Sequence, residues 1–599
     1  MMKRKLMAFG LLFMLGMMSR VVANTLRNEY PRPQFERTEW INLNGTWSFD
    51  FDFGKTGRDR NLQASQGLPK QITVPFCPES SLSGIEFTDH MEQVWYQRKI
   101  SIPAEWSGKK IFLNFGAVDY CAEIYIDGKF VHRHTGGSSS FAVDLSRKVE
   151  PGKTHNLVVL VMDDLRSGLQ TGGKQSGNFY SGGCSYTRTT GIWQTVWMEA
   201  VASTGLRSVF ARPDIDAAQL IIEPDFYAES NGILEITLKA EGKVVAHKEV
   251  KCCNSSVVVL PVKKMKLWSP ESPFLYDIEY VVKDIDGKVV DRVKSYTGMR
   301  KVHTEGGRFY LNNEPYFQRL VLDQGFYPDG IWTAPSDEAL RNDIILSKEA
   351  GFNGARLHQK VFEERFYYWA DKLGYLTWGE AASWMMDINR DLAVRNFLSE
   401  WQEIVIRDRN HPSLVIWTPM NESWGGNREV YVRMMQDIYK STKALDPTRP
   451  INDASGGHHV MTDIWTIHNY EQDGIRLKEQ LELKPEREPM SPPRDKEYLP
   501  VYDGQPLILD EFGGIAWMAE KDRKNSWGYG GYPDNEEAFY KRLEGQIDAI
   551  LASPQICGFC YTQLTDVEQE KNGIYYYNRN PKFDMKRIKS IFEKVLQKK

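Results

Sequence analysis

The chain has 599 residues, 41% hydrophobic and 26% charged, with a formal net charge of −4; at roughly 150 residues per domain this sets an expectation of about three domains. A charge so close to balance carries no polyanion-binding signal, and nucleic acid is not an expected partner. Seventeen Trp and 28 Tyr are a generous supply of flat rings, which suits either the apolar face of a pyranose or the cores of large sandwiches.

Lys3-Arg4-Lys5 precedes an apolar run from Leu6 to Met18, and Val21-Val22-Ala23 satisfies the small-residue cleavage rule. Residues 1–23 therefore read as a signal peptide, too short in its apolar part to span a bilayer comfortably. With no cysteine at the cut, a lipid anchor is not expected. The mature chain is expected to be secreted or periplasmic, with no membrane partner after cleavage. Nothing in the sequence indicates its oligomeric state.

From 24 to 202 the pattern is that of β-strands. "EIYIDGKFVHRH" alternates apolar and polar residues about Asp127-Gly128, a dipeptide suited to a tight primed turn. "KIFLNFG", "HNLVVLVM" and "GIWQTVWMEA" follow in the same style with no long amphipathic helix between them, which indicates a sandwich or jelly roll. From 203 to 303 a second all-β stretch contains "GILEITLKA", "SSVVVLPV" and a hairpin around Asp286-Gly287; its length and strand spacing fit an immunoglobulin-like sandwich. Trp268-Ser-Pro270 reads as a corner between strand and turn.

From 304 to 599 strands and helices alternate. Short apolar runs lie near 316–322, 353–358, 375–379, 414–418, 451–454, 464–468, 506–510 and 556–562. Phe362, Phe366, Trp369 and Leu373 form one helical stripe. Asp534 with Glu537 reads as a capping arrangement ahead of Phe539, Leu543, Ile547, Ile550 and Leu551. Eight such repeats predict a TIM (β/α)8 barrel, whose parallel strands are buried on both faces and whose functional groups gather where the strands end. Just past the runs stand Asp323-Gln324, Arg356 with His358, Glu380, Asn421-Glu422, Asp453, His468 with Tyr470, Asp510-Glu511, and Tyr561 with Gln563.

Two of these matter most. Glu422 follows the fourth strand in "IWTPMNESWG" and Glu511 the seventh in "PLILDEFGG". Alone, Asn421-Glu422 and Asp510-Glu511 each read as a turn or a helix start. On strands that face each other across a barrel mouth they form a pair able to cleave a glycosidic bond, one as proton donor and the other as nucleophile. That chemistry calls for a raised pKa on the acid and donors that keep the nucleophile ionised. Arg356 and Tyr470 are expected beside the nucleophile, and Asn421 beside the hydroxyl next to the reacting carbon. Asp510 reads as a structural neighbour. Trp384, Trp417 and Trp424 are either sugar platforms or barrel packing.

Seven cysteines are an odd count for a disulfide framework. Cys557-Gly-Phe-Cys560 sits in an apolar strand-like run and reads as packing, while Cys252-Cys253 are adjacent and poorly placed to bond. His458-His459 lacks a spaced acidic or cysteine partner. No metal or other cofactor is expected, since a divalent ion near the mouth finds no ligand set at convincing spacing.

The chain resembles glycoside hydrolase family 2, the β-galactosidases, β-glucuronidases and β-mannosidases. The resemblance runs from about Asn28 to Ser590 through "LNGTWSFDFD", "VWYQRKISIP", "TTGIWQTVW", "LWSPESPFLY", "GFNGARLH", "DKLGYLTWGE", "HPSLVIWTPMNESWG" and "ILDEFGG". It implies a retaining, exo-acting hydrolase with Glu422 as acid/base, Glu511 as nucleophile, and Arg356, Asn421 and Tyr470 lining the site. Asp323, His358, His468, Tyr561 and Gln563 complete the expected substrate-binding set. Three departures bear on the sugar. Gln359 stands where the galactosidases place a histidine after strand two, Gly514 replaces another histidine, and Glu570-Lys571-Asn572 replaces the Asn-x-Lys that holds a glucuronide carboxylate. The expectation is a β-galactosidase-type enzyme acting on an oligosaccharide or glycoside. A glucuronide, galacturonide or mannoside is the alternative, and a retired carbohydrate-binding scaffold the remoter one. The long segment 471–506 and the glycine-rich "TGGKQSGNFYSGGCSYTR" are expected as pocket walls.

Overall fold

A computed structural model describes residues 27–482 and 499–594. The segment 1–23 expected as a signal peptide, and residues 483–498 of the expected 471–506 wall, lie outside the described residues.

The first domain is two antiparallel sheets packed face to face. One orders Trp40–Asn42, Val196–Val201, Lys110–Phe115 and Phe141–Asp144; the other orders Lys70–Val74, Gly45–Phe51, Gln93–Ser101, Thr154–Met162, Cys121–Ile126 and Lys129–Thr135. Alternating residues such as Trp47, Phe49, Tyr96, Leu113, Phe115 and Val159 fill the space between them. At the hairpin tip Asp127 and Gly128 have φ of 48° and 78°, the left-handed pair that a type I′ turn requires.

The second domain is a seven-stranded sandwich. Leu206–Asp214, Gln219–Phe226 and Val258–Pro261 face Lys243–Lys251, Ile233–Ala240, Tyr276–Lys283 and Val289–Thr297. Leu234, Ile236 and Leu238 point inward at the strand period of two. Trp268 closes the corner against the barrel: it is fully buried and its Nε1 donates to the Asp371 carbonyl at 2.8 Å.

The barrel strands are Gln318–Asp323, Gly354–Leu357, Leu376–Glu380, Leu414–Thr418, Ala454–Ser455, Trp465–Asn469, Leu507–Gly513 and Ile556–Thr562. Strands one to four, and strands six to eight onto strand one, pair in parallel. Strand five is short and joins through Met420–Asn421, the continuation of strand four, and through a bridge from Trp417 to Ile451. Helices follow strands one to four and six to eight. The Phe362 stripe begins in a loop, because the helix spans Glu364–Leu373. The cap expected at Asp534 is instead Asn535. It lies one residue ahead of Glu536–Leu551 with extended backbone, and its side chain reaches the Ala538 N–H at 2.9 Å. Cys557 and Cys560 are buried free thiols on strand eight. No described helix is long and apolar enough to cross a membrane.

Candidate active site

Strand four stops at Thr418 because Pro419 cannot donate to a ladder, and pairing resumes with Met420–Asn421. The next residue, Glu422, donates its N–H to the Ser455 carbonyl at 2.8 Å with φ of 42°. A left-handed backbone at a residue bearing a Cβ is strained by about 1–3 kcal/mol and persists where surrounding structure enforces it. Glu511 sits inside strand seven, buried. A ligand atom from each of Glu422, His468 and Glu511 lies within 4.8 Å of the others. The two glutamates stand against the same imidazole, that of His468.

Arg356, fully buried on strand two, organises that cluster. Its Nε donates to Glu380 Oε2 at 2.6 Å and its Nη1 to Glu511 Oε1 at 2.9 Å and the Asp510 carbonyl at 3.2 Å. Its Nη2 donates to Asn421 Oδ1 and lies 3.0 Å from His358 Nδ1. Burial disfavours the guanidinium charge, but Glu380, Glu511 and Asp510 outweigh burial and hold it firmly protonated. Tyr470 OH donates to Glu511 Oε2 at 2.5 Å, and its ring stacks on Tyr529 with centroids 3.5 Å apart. Burial would lift the Glu511 carboxyl; His468 and Arg356 overcome that and lower it. Glu511 is therefore ionised and oriented.

Glu422 faces the imidazole of His468. Burial would raise Glu422, yet the hydrogen bond and charge of His468, with Lys174 and Arg356, bring it down to about 2. Burial would lower His468, but Glu511, Asp510 and Glu422 raise it. His468 Nδ1 lies 2.9 Å from Glu422 Oε1 and 3.4 Å from Glu511 Oε2. Its Nε2 lies 3.0 Å from Ser455 Oγ and 3.4 Å from Asp510 Oδ1. The two groups are one hydrogen bond apart, and each stabilises the charged form of the other. The same three residues are close enough to chelate an ion, but a metal needs a neutral imidazole. A second close set, Glu235, His247 and Glu249, lies on the second sandwich, away from the barrel mouth.

Of the other expected substrate-binding residues, the structure brings Asn421, His358, His468 and Tyr470 to the cluster. His358 is buried, and burial with the neighbouring Arg356 and Lys174 charges keeps its imidazole well below the ordinary value. Asn421 Nδ2 has no partner among the described residues and is free to meet a hydroxyl. Asp323 does not join this cluster. Its Oδ1 accepts the Gly325 N–H at 2.9 Å, capping the end of strand one. Tyr561 packs in the barrel's hydrophobic core against Phe512 and Phe592. Gln563 Oε1 accepts from Gln324 Nε2 at 2.8 Å, one buried layer away. Trp417 is core, fully buried and bonded to Asp446 at 2.8 Å. Trp424 is 44% exposed and edges onto His458.

Sequence reasoning passed over Lys174. The glycine-rich run of the first domain reaches the barrel, where Gly172 N–H donates to Trp384 O at 2.9 Å and Gly173 N–H to Ala382 O at 3.2 Å. Gly173 has φ of 56°, and a Cβ there would stand 2.1 Å from the Gln359 carbonyl, so only glycine allows this approach. Lys174, the next residue, is buried, with its Nζ 4.0 Å from the Trp384 ring centroid. Trp384 Nε1 in turn donates to the Asn421 carbonyl at 3.1 Å. The signal in the sequence was a lysine inside a run of glycines, too common a pattern to single out.

Comparison with known proteins places this geometry. Residues 82–172 match the model of the glycosyl hydrolases family 2 sugar binding domain, 204–300 that of glycosyl hydrolases family 2, and 333–513 that of the family 2 TIM barrel domain. A β-galactosidase of Thermoanaerobacter pseudethanolicus is 28% identical over 71% of this chain and 55% of its own length. A β-glucuronidase of Paenibacillus borealis is 24% identical over 70% of this chain and 74% of its own. A putative β-glucuronidase of Formosa agariphila is 30% identical over 61% of this chain and 34% of its own. The chain therefore spans about half of the β-galactosidase and about a third of the Formosa protein. A Ruminococcus gnavus β-glucuronidase solved with D-glucuronic acid superposes with a TM-score of 0.76 at 20% identity, covering 95% of this chain and all of that one. That likeness is one of fold.

Proposed function

The chain belongs to glycoside hydrolase family 2, and from that premise we propose that it is a retaining exo-β-glycosidase releasing terminal β-linked sugars from an oligosaccharide or glycoside. The carrying observation is the approach of Glu422 and Glu511, whose nearest oxygens fall within 4.8 Å. Carboxyl groups about 5–5.5 Å apart suit a covalent glycosyl-enzyme, whereas roughly 6.5–9.5 Å would leave room for an inverting water.

Glu511 attacks the anomeric carbon while a proton passes to the glycosidic oxygen from Glu422. That proton reaches Glu422 from His468 across 2.9 Å, so its transfer leaves Glu422 ionised and the imidazole neutral. As the glycosyl ester forms, the Glu511 charge that favoured the imidazolium disappears, which moves the proton toward Glu422 when the leaving group needs it. Water then displaces the ester, with Glu422 as base. Asn421 meets the hydroxyl next to the reacting carbon, a contact that strengthens as charge develops. Docking of the first-domain loop onto Gln359 and Ala382 closes one side of the mouth, which favours exo action.

A β-galactosidase-type substrate is the first reading of the sugar, supported by the β-galactosidases among its relatives. A uronide is the second, supported by Lys174, a buried side chain whose Nζ lies 4.0 Å from the Trp384 ring centroid. A secreted or periplasmic location follows from the segment 1–23. Proton NMR of the first-formed sugar, on whichever chromogenic β-glycoside is cleaved, tests the mechanism: a β-anomer is expected, and an α-anomer ends the retaining reading. If no β-glycoside turns over, while Glu511→Gln and wild type bind oligosaccharide equally, the retired-scaffold reading prevails.

A further inference from the structure

The first domain brings a cation into the barrel mouth and gives it no anion to hold. The other buried lysines are satisfied: Lys360 Nζ donates to the Gly325 and Trp332 carbonyls at 2.5 and 2.7 Å, and Lys582 Nζ to Asp566 at 2.5 Å. Among the described residues Lys174 makes no side-chain hydrogen bond and no ion pair, only its contact with Trp384. An ammonium at the end of a buried side chain, with no acceptor from the protein, keeps its donors for water or a ligand. It is tolerated where a ligand completes it, and the barrel mouth is such a place.

We propose that Lys174 is the specificity-determining residue of a subsite for an anionic oxygen substituent on the terminal sugar, a uronic carboxylate or a sulfate ester. The inference rests on the exo-β-glycosidase reading for its location. Gln359 and Glu570 define the subsite. Gln359 Oε1 accepts the Trp384 N–H at 3.3 Å, which fixes the amide orientation and leaves Nε2 as a second donor without an acceptor. Glu570 is the main carboxylate opposite, but its oxygens already accept from Tyr186 OH at 2.6 Å and Asn572 Nδ2 at 3.0 Å. The N–H groups of Lys174 therefore remain open. Burial lifts the Glu570 carboxyl above its ordinary value, while the Lys174 charge and the hydrogen bonds from Tyr186 and Asn572 lower it. Lys174 Nζ lies 4.0 Å from the Trp384 ring centroid, and Trp384 Nε1 donates to the carbonyl of Asn421, the residue before Glu422, which places the ammonium beside the reacting sugar rather than in an outer binding site.

The arrangement bears on the departure at Glu570-Lys571-Asn572. Lys571 is only half-buried, and its backbone is tied to Trp527 and Trp517. The cation that enters the mouth comes instead from the other domain, through a loop that only glycines let approach.

The test uses the full chain with p-nitrophenyl β-galactoside, β-galacturonide, β-glucuronide and 6-sulfo-β-galactoside. One anionic substrate is expected to exceed its neutral counterpart in kcat/KM about tenfold or more, and which one does so distinguishes carboxylate from sulfate. Lys174→Met should lower the anionic-to-neutral ratio about 100-fold, in keeping with the penalty for unpairing a site built for a polar group; Lys174→Arg should keep most of it. A wild-type preference for the neutral sugars, or a ratio moved less than about threefold by Lys174→Met, overturns the proposal. Should Lys174→Met fail to fold, wild-type calorimetry with galacturonic acid against galactose decides alone: tighter binding of the acid supports the subsite and tighter binding of galactose overturns it. The same binding measurement stands if no glycoside is cleaved, an outcome that removes the hydrolase reading and not this one.

Discussion

His468 and Glu422 form an ion pair across the barrel mouth, with Nδ1 2.9 Å from Oε1. Glu511, Asp510 and Glu422 all face the ring and raise the imidazole above its ordinary value. Glu422 taken alone, near 2, is too acidic to be a protonated donor at neutral pH. The two groups together are not. They carry one proton until the pH passes the raised value of His468.

The pH profile follows from that sharing. Activity needs Glu511 ionised and one proton on the Glu422–His468 pair. The basic limb of kcat/KM should therefore report His468 and lie above the ordinary imidazole value. In His468→Asn the proton returns to Glu422, whose carboxyl no longer has an imidazolium beside it. The basic limb should then fall toward the carboxylic range. A limb that stays in place in His468→Asn would show that the imidazole holds no catalytic proton.

The two glutamates should separate by leaving group. Glu511→Ala removes the nucleophile and should abolish turnover of every substrate, by a factor of about 10⁴ or more if covalent catalysis carries the reaction. Glu422→Ala should spare the first step for activated aryl glycosides, whose leaving groups depart unprotonated, and slow alkyl glycosides severely. Stopped-flow measurement of the aryl burst checks this. Equal losses on both leaving-group types would contradict the assigned roles.

Gly173→Ala tests the seating of the first domain. With φ at 56° and the Gln359 carbonyl 2.1 Å from the new Cβ, the loop has to shift away. Such a change destabilises by more than about 1 kcal/mol. It should also raise KM, because Lys174 is the next residue. An unaltered melting temperature and KM would mean that the loop does not press on the barrel.

Much of this was legible in the chain because parallel barrel strands are buried on both faces and read as apolar runs whose polar residues mark the open end. Arg356, Asn421, Tyr470 and Glu511 stand out in that way, and the structure gathers the four by hydrogen bonds. The reading failed where position along a strand had to stand in for direction. Tyr561 ends the apolar run of strand eight, but successive residues point to opposite faces, and this one turns into the core. Asp323 also ends a strand, yet its oxygen is taken by the turn that follows. Strand five was legible as a run at 451–454 but is a stub of two residues, since its hydrophobic pattern is the same whether or not a ladder forms. Lys174 was invisible for a different reason. Its role depends on another domain meeting the barrel, and no local pattern encodes that contact.

Arg356→Lys is the most demanding of these substitutions, because it preserves charge and removes only geometry. A guanidinium reaches Glu380, Glu511, Asn421 and the Asp510 carbonyl at once through its planar fork. An ammonium reaches two or three of them and leaves buried carboxylate oxygens without donors. Breaking one member of a buried ion pair costs about 3–5 kcal/mol, and part of that loss should appear as lowered thermal stability. The rest should appear in kcat, with Glu511 no longer held ionised and aimed: about 100-fold or more, with the acidic limb of the kcat/KM profile moving up as the Glu511 carboxyl loses the neighbour that lowered it. If Arg356→Lys keeps both the acidic limb and kcat, the arginine is a structural strut, and the ionisation of the nucleophile falls to His468 and Tyr470.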